Sequence, residues 1–261
     1  MACALFLSAC SGSQETVVVT STVTEAPPPA PDEQLPLDAT VAHVESTLGG
    51  QLGVATVGEL GPEAAGFTDP SPAWSTIKVP IAIAAMRTNP ALEADVRAAV
   101  SASDNAAAQR LYDAVGPEAI DAVLAQTGLA TRVNTAPIRP EFSTFGQTQL
   151  SVADEAALAN TVACVEGAAL VLELMGQIDP AQAYGLGTVG ALFKGGWGPD
   201  TTGAYQVRQF GLVPRGDGTW APVALTALPA DGSYETGQEM LTAAAETLAG
   251  DPAQLPAAAC Q

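Results

Sequence analysis

The chain has 261 residues, of which 48% are hydrophobic and 14% charged, so it can build one generous domain or two small ones with a real core. Its 28 acidic and 9 basic residues give a formal net charge of −19, which argues against nucleic acid as a partner, because nucleic acids select basic surfaces. One histidine, His43, and four cysteines leave no pool for a His-rich metal site. We therefore expect neither a metal nor another cofactor.

The first ten residues, MACALFLSAC, form an apolar run far shorter than the ~20 residues that a membrane-spanning helix needs. The run resembles the end of a bacterial lipoprotein signal, in which a leucine, two small residues and a cysteine define the cleavage site and the cysteine takes the lipid. That resemblance implies lipidation at Cys10 and an exported protein anchored to the outer face of the cell membrane. The alternative is an apolar, disordered terminus.

Residues 11–36 combine Ser, Thr, Glu and a proline cluster without any aromatic residue, so they bury too little apolar surface to fold. The prolines between residues 27 and 31 favour extended polyproline geometry. We therefore expect a tether over residues 11–36 and a folded domain over residues 37–261, with membrane contact only through the lipid.

The folded part begins with apolar residues at helical spacing over residues 37–48, and two glycines then end the predicted helix. Residues 51–60 alternate as a strand, with a possible short partner near residues 64–68. Alanine-rich segments over residues 75–124 and 152–175 are typical of helices.

Three predicted strands follow over residues 189–195, 205–213 and 221–228, and an amphipathic helix over residues 236–249 closes the chain. Strands near both ends of the chain with helices between them predict an α+β fold. Its antiparallel sheet is assembled from both ends of the chain and flanked by the terminal helices, with a helical subdomain over about residues 75–180.

Cys164 and Cys260 are the two cysteines beyond the signal region, and two is the number that one disulfide needs in an oxidising compartment. We predict that they are bonded, which would pin the C-terminal tail to the domain. The alternative is two unrelated buried thiols.

The sequence Ser75-Thr76-Ile77-Lys78 stands at the start of a predicted helix. Side chains three residues apart on a helix lie on the same face, so Ser75 and Lys78 can touch. Both the positive end of a helix and partial burial disfavour the ammonium form of lysine. A neutral Lys78 could then take the proton from Ser75 and make it a nucleophile.

Two further motifs follow in order: SDN at residues 103–105, ahead of another helix, and KGG at residues 194–196, on the first late strand. This set resembles the signature of the class A β-lactamases and penicillin-binding proteins, and the class A branch most, over about residues 37–249. The resemblance implies a five-stranded antiparallel sheet flanked by terminal helices, with an all-helical subdomain that is reduced here.

The resemblance implies a role for each matched residue. Ser75 would open an amide and form an acyl-enzyme, with Lys78 as general base or proton relay. Ser103 would pass a proton toward the leaving nitrogen. Lys194 would hold the Ser103 hydroxyl and attract a substrate carboxylate.

Further residues would bind the substrate. Asn105 would bind its side-chain amide, and the backbone N–H groups of Ser75 and Trp197, with Gly196 between the strand lysine and Trp197, would form the oxyanion hole. Arg208, on the next strand, is a candidate for binding the substrate carboxylate. An ordinary strand arginine that faces solvent is an equal alternative for Arg208.

Three departures from the family pattern bear on turnover. Only 28 positions separate Ser75 from Ser103, so the helical subdomain has lost a segment and the cleft is expected to be wider. The Glu-x-x-Leu-Asn motif, whose glutamate activates the deacylating water, is missing from residues 131–150, where Glu141 is the nearest acid. Gly195 replaces the usual Thr or Ser, which removes a hydroxyl that would bind a substrate carboxylate.

The leading interpretation is a monomeric serine hydrolase that is acylated at Ser75 by β-lactams or a related cell-wall amide, with slow turnover. The alternatives are an envelope lipoprotein that keeps the fold as a binding module without chemistry, and a D,D-peptidase or esterase. Lys78 and Lys194 are the only two lysines of the chain, and both fall at motif positions where a titratable amine is needed. That coincidence favours a working site.

Overall fold

The computed structural model describes residues 37–260, so Cys10 and the tether expected over residues 11–36 lie outside the described residues. The first helix, α1 (Leu37–Leu48), has its predicted bounds. It leads into a tight hairpin of β1 (Gln51–Gly58) and β2 (Gly61–Gly66). Both elements were predicted, although β2 begins three residues earlier than expected.

The central part of the described chain is helical, as predicted, and the structure divides it into separate helices: α2 (Lys78–Thr88), α3 (Glu93–Ser101), α4 (Asn105–Gln126), α5 (Val152–Thr161) and α6 (Ala168–Met175). The Asp104 side chain caps α4 by accepting a hydrogen bond from the backbone N–H of Ala107. Gly116, with φ of 75°, kinks α4 just before Pro117.

Three long strands and a last helix complete the fold: β5 (Leu192–Pro199), β6 (Tyr205–Pro214), β7 (Trp220–Leu228) and α7 (Tyr234–Ala249). The prediction of residues 189–195 for the first of these strands is wrong by several residues. Gly190 adopts a left-handed φ of 75° at the end of a short 3₁₀ turn, so the strand begins later. The strand β5 then pairs with β6 along its whole length, including its three glycines, and the pairing ends with Pro199 opposite Tyr205.

The five long strands form one antiparallel sheet in the order β2-β1-β7-β6-β5, which confirms the α+β prediction. Alternate residues of β7 face opposite sides, as the two-residue period of a strand requires. Val223 and Leu225 pack in the apolar cluster with α1 and α7, whereas Ala224 packs in the cluster with α2–α6. Strand β5 lies at the edge of the sheet and is therefore open on one side.

A second, two-stranded sheet was not predicted. It pairs β3 (Ser71–Pro72) with β4 (Gln149–Leu150). The prolines around residue 71 indicated only a break in the chain, because the partner strand is 78 positions away in sequence and carries no local signal. This small sheet fixes the segment that leads into Ser75.

The predicted disulfide is confirmed: Cys164 and Cys260 are bonded, with their Cα atoms 5.5 Å apart. Asn160 supports the same junction, since its side-chain oxygen accepts from the N–H of Ala259 and its carbonyl accepts from the N–H of Cys260. The C-terminal tail is thus fastened beside α5. Within residues 37–260, no helix combines the length and apolar character that crossing a membrane requires.

Candidate active site

Ser75 lies in a 3₁₀ turn, Trp74–Ile77, that runs directly into α2 beside the open edge of β5. Gly196 makes this close approach possible. A Cβ atom at position 196 would lie 2.7 Å from the backbone N of Ser75 and 2.8 Å from the carbonyl oxygen of Ala73, which is closer than packed atoms can be. The motif glycine on the strand and the serine turn are therefore in direct backbone contact.

Gly195 has a different environment from Gly196. A Cβ atom there would meet Gln209 and Tyr184 no closer than 3.7 Å, an ordinary packing distance. The absence of a side-chain hydroxyl at this position is thus not forced by crowding around the Cβ atom.

Lys78 is enclosed at the first residue of α2, with 1% of its surface exposed. Its ammonium nitrogen donates to the backbone carbonyl of Ser103 at 2.5 Å and to Asn105 Oδ1 at 2.7 Å. Burial lowers the pKa of Lys78 from 10.5 to about 7, against the smaller opposing effect of the Asp104 carboxylate. Among the hydrogen bonds of the described residues, none joins Lys78 Nζ to Ser75 Oγ.

The Ser103 hydroxyl lies between the two lysines of the chain. Lys194 Nζ is 3.0 Å from Ser103 Oγ, and Lys78 Nζ is 3.3 Å from the same atom. A hydroxyl oxygen has two acceptor sites and one proton. With both acceptor sites filled by lysine amines, the Ser103 proton is free to point away from them. The three motifs separated in sequence therefore meet at one oxygen atom.

Lys194 is fully buried, and its amine also donates to the carbonyl of Gly195 at 2.8 Å. Burial, and to a lesser degree the charge on Lys78, lower the pKa of Lys194 well below its usual value. Two amines this close cannot both hold a full positive charge at low cost.

Backbone strain is concentrated at this site. Trp74 (φ 52°) and Ser103 (φ 58°) are the two non-glycine residues of residues 37–260 with a positive φ. A left-handed tryptophan is unfavourable by about 1–3 kcal/mol and persists only where its surroundings hold it. One of these residues precedes Ser75, and the other is the serine between the lysines.

Both interpretations of Arg208 from the sequence are wrong, because the structure places this residue neither in a cleft nor in solvent. Its side chain is fully buried and forms an ion pair with Glu155, with Nη2 2.8 Å from Oε2. The remaining guanidinium donors bind the backbone carbonyls of Ser71, Pro72 and Leu150. With all three nitrogens occupied, Arg208 has no donor left for a substrate carboxylate.

Glu155 connects this buried pair to the serine turn and was missed by the sequence analysis. Its Oε1 accepts from the Thr76 hydroxyl at 2.5 Å, and Thr76 is the neighbour of Ser75. Burial raises the pKa of the Glu155 carboxyl, an effect that the Arg208 guanidinium opposes. Two features of the sequence could have indicated this buried pair. One is the arginine within the apolar strand YQVRQFGLV, and the other is the glutamate within the apolar helix VADEAALAN.

A cleft of about 500 Å³ opens over Ser75. Two residues that the sequence analysis assigned to substrate binding, Asn105 and Trp197, lie in its wall, and Glu141 lies in it as well. Glu141 pairs with Arg139 at 3.0 Å, and its pKa is lowered by hydrogen bonding, first from its own backbone N–H and then from Arg139.

Aromatic side chains, which the sequence analysis did not identify, form much of the rest of the wall. Trp74, Phe142, Trp197 and Tyr205 all line the cleft. The Trp74 and Phe142 rings meet edge to face at 5.2 Å, and Trp197 and Tyr205 both pack against Tyr234. The cleft therefore places four aromatic side chains beside a serine, in a wall that also carries polar side chains such as Asn105 and Gln109.

Solved structures of class A β-lactamases share this architecture. A class A β-lactamase from Mycobacterium abscessus superposes with a TM-score of 0.66 at 14% identity, over 83% of this chain and 99% of the other. The β-lactamase from Sphaerobacter thermophilus gives 0.65 at 20% identity, over 84% and 97%. The TLA-1 extended-spectrum β-lactamase gives 0.67 at 13% identity, over 82% and 98%.

No protein-family model matches the chain, and no curated protein is similar to it at a significant level. At these identities the structural likeness establishes the fold and leaves the chemistry open. The chain has the class A β-lactamase-like fold, as the order of its three motifs indicated.

Proposed function

We propose that this chain is a serine acyl-transfer hydrolase of the class A β-lactamase type, acylated at Ser75 by β-lactams or a related cell-wall amide. The observation that carries the proposal is the convergence of Lys78 and Lys194 on the Ser103 hydroxyl, beside a serine turn that touches the sheet edge at Gly196. A protein that had lost its chemistry would have no use for two buried amines, whose desolvation is costly.

The acylation step follows from these groups. Ser75 Oγ bonds to the carbonyl carbon of the substrate while its proton passes to the neutral amine of Lys78. The oxyanion that forms is to be stabilised by the backbone N–H groups of Ser75 and Trp197. The carbon–nitrogen bond then breaks, and the nitrogen takes the Ser103 proton, which Lys78 replaces.

The pH dependence of acylation should report on Lys78. Because the amine acts as a base only when neutral, the acylation rate should rise with pH through the pKa of about 7 and level off above it. Stopped-flow measurement of acylation from pH 5 to pH 9 tests this expectation. An acylation rate that falls or stays constant across that range would contradict the role of Lys78.

Slow hydrolysis of the acyl-enzyme is part of the proposal. Glu141 is the carboxylate in the cleft wall, but its pairing with Arg139 and its lowered pKa make it a weak base. The adduct should therefore persist, which is the behaviour of a penicillin-binding protein.

The proposal is tested by intact-mass measurement after exposure to millimolar penicillin. The wild type should gain the full mass of the β-lactam, because ring opening releases no fragment, and Ser75→Ala should gain none. A wild type without an adduct would favour the binding-module alternative. A steady-state assay with a chromogenic cephalosporin then shows whether the acyl-enzyme is hydrolysed or persists. Assays with D-alanyl peptides and simple esters show whether the enzyme is instead a D,D-peptidase or an esterase.

We also propose that the protein is exported and anchored by a lipid at Cys10. The Cys164–Cys260 disulfide supports export, because such bonds persist in oxidising compartments. Metabolic labelling with a palmitate analogue should mark the wild type and leave Cys10→Ala unlabelled. Equal labelling of the two proteins would refute lipidation at this cysteine.

A further inference from the structure

No arginine of the chain lines the cleft over Ser75. All seven lie within residues 37–260, and each has a polar partner of its own. The pairs are Arg87 with Gln126, Arg97 with Glu93, Arg110 with Asp95, Arg132 with Asp121, Arg139 with Glu141, Arg208 with Glu155 and Arg215 with Asp217.

Arg139 contacts three residues of the cleft wall and is held from three sides. It pairs with Glu141 and donates to the carbonyl of Pro199, and its guanidinium lies 4.4 Å above the centre of the Phe142 ring. This arginine fastens the segment around Glu141 to the end of β5. It is therefore a structural clamp.

The two lysines are also withdrawn from the cleft. Lys78 and Lys194 are 1% and 0% exposed, and their amines are engaged with Ser103, Asn105 and the Gly195 carbonyl. Neither side chain belongs to the wall of the cleft. Lys78 Nζ uses all three of its donors in this way and Lys194 Nζ uses two, and both side chains lie beneath the surface of the cleft.

The wall itself carries charge of one sign only. Among the described residues that line it, Glu141 is the single charged one, with a side chain 55% exposed. The hydroxyl that would accompany Lys194 on the strand is replaced by Gly195. Around this wall, the chain as a whole has a net charge of −19. A carboxylate beside the scissile bond would thus find a negatively charged side chain and no cation in this wall.

We propose that the cleft selects acyl compounds that carry no carboxylate beside the scissile bond, either neutral or cationic, with an apolar or aromatic acyl group packed against Trp74, Phe142 and Trp197. The proposal rests on the proposed acylation of Ser75 and specifies its substrate class. The bond changes are those of acylation described above, in which the carbon–nitrogen bond breaks and Ser103 supplies the proton to nitrogen.

Benzylpenicillin and its methyl ester test the proposal, since they differ only in this carboxylate. The second-order rate of Ser75 acylation, followed by intact mass and divided by the rate of hydroxide hydrolysis of the same compound, should be at least about tenfold higher for the ester. Raising the salt concentration should speed the reaction of the acid and leave that of the ester unchanged, because screening weakens repulsion.

A matched pair of variants locates the effect. Gln109 lies in the cleft wall, and Gln109→Lys should narrow the ratio between ester and acid by about tenfold. Gln254→Lys makes the same change of side chain in the exposed C-terminal turn and should leave the ratio unchanged.

Each outcome has a separate meaning. If neither compound modifies Ser75, the proposed function is wrong. If both do and the acid reacts as fast as the ester, acylation stands and the proposed substrate class is wrong. If Gln254→Lys narrows the ratio of ester to acid rates as much as Gln109→Lys does, the net charge of the protein determines the preference for the ester. The proposal that the cleft wall determines it is then wrong.

Discussion

Replacing Lys78 by methionine should slow acylation of Ser75 by about 10²–10⁴-fold, the range for loss of a general base. Methionine has a similar length and no charge, so it fills the same enclosed space without a buried amine. The residual reaction should also lose its rise with pH near 7, because the group that titrates there is gone. Stopped-flow acylation at several pH values measures both effects.

The control is Arg87→Met on the same helix. Arg87 lies in the last turn of α2, bonded to Gln126 and remote from Ser103, so acylation should stay within about twofold of the wild type. A Lys78→Met protein that is folded by circular dichroism and acylates at the wild-type rate would show that another group takes the Ser75 proton.

Glu155→Ala should lower the free energy of unfolding by about 3–5 kcal/mol, because it leaves the Arg208 guanidinium buried without its counter-ion. The same change removes one of the two hydrogen bonds of the Thr76 hydroxyl and leaves the bond to the Ala73 carbonyl, so the turn that carries Ser75 is held less firmly and acylation should be slowed in the fraction of protein that remains folded. Urea unfolding followed by tryptophan fluorescence measures the first effect, and intact mass measures the second.

Glu93→Ala provides the matched comparison, since Glu93 also pairs with an arginine but on the surface of α3. Both partners of that pair are about half exposed, so its loss should change the free energy of unfolding by no more than about 0.5 kcal/mol. Equal effects of the two substitutions would show that the buried pair contributes no more than an exposed one.

The sequence predicted the order of elements well because its signals were local. The spacing of apolar residues indicated α1, α7 and the long strands, and three short motifs indicated the site. Both lysines of those motifs meet Ser103 in the structure, because Lys78 begins α2, Ser103 precedes α4 and Lys194 lies on the edge strand β5.

The residues that hold the site in place could not be predicted from the sequence in the same way. Glu155 and Arg208 are 53 positions apart, and although each stands in an apolar segment, neither segment indicates that the other holds its partner. Only the packing of α5 against the sheet decides that both are buried. Likewise, Trp74 has a left-handed backbone, and its ring packs against Gly198 and Phe142, which are distant in sequence, so no local propensity encodes this arrangement.

The two sides of the cleft over Ser75 are held by different sets of contacts. The wall that carries Ser75 is tied through Thr76, Ser71 and Pro72 to the interior of the protein. The segment over residues 139–143 is held instead by the Arg139 bond to Pro199 and by the buried side chain of Gln147, which bonds to the backbone of Arg139 and Ser143. Because these contacts differ from those that hold the serine turn, substitutions among residues 139–141 can change which acyl groups the cleft admits while the hydrogen bonds around Ser75 stay in place.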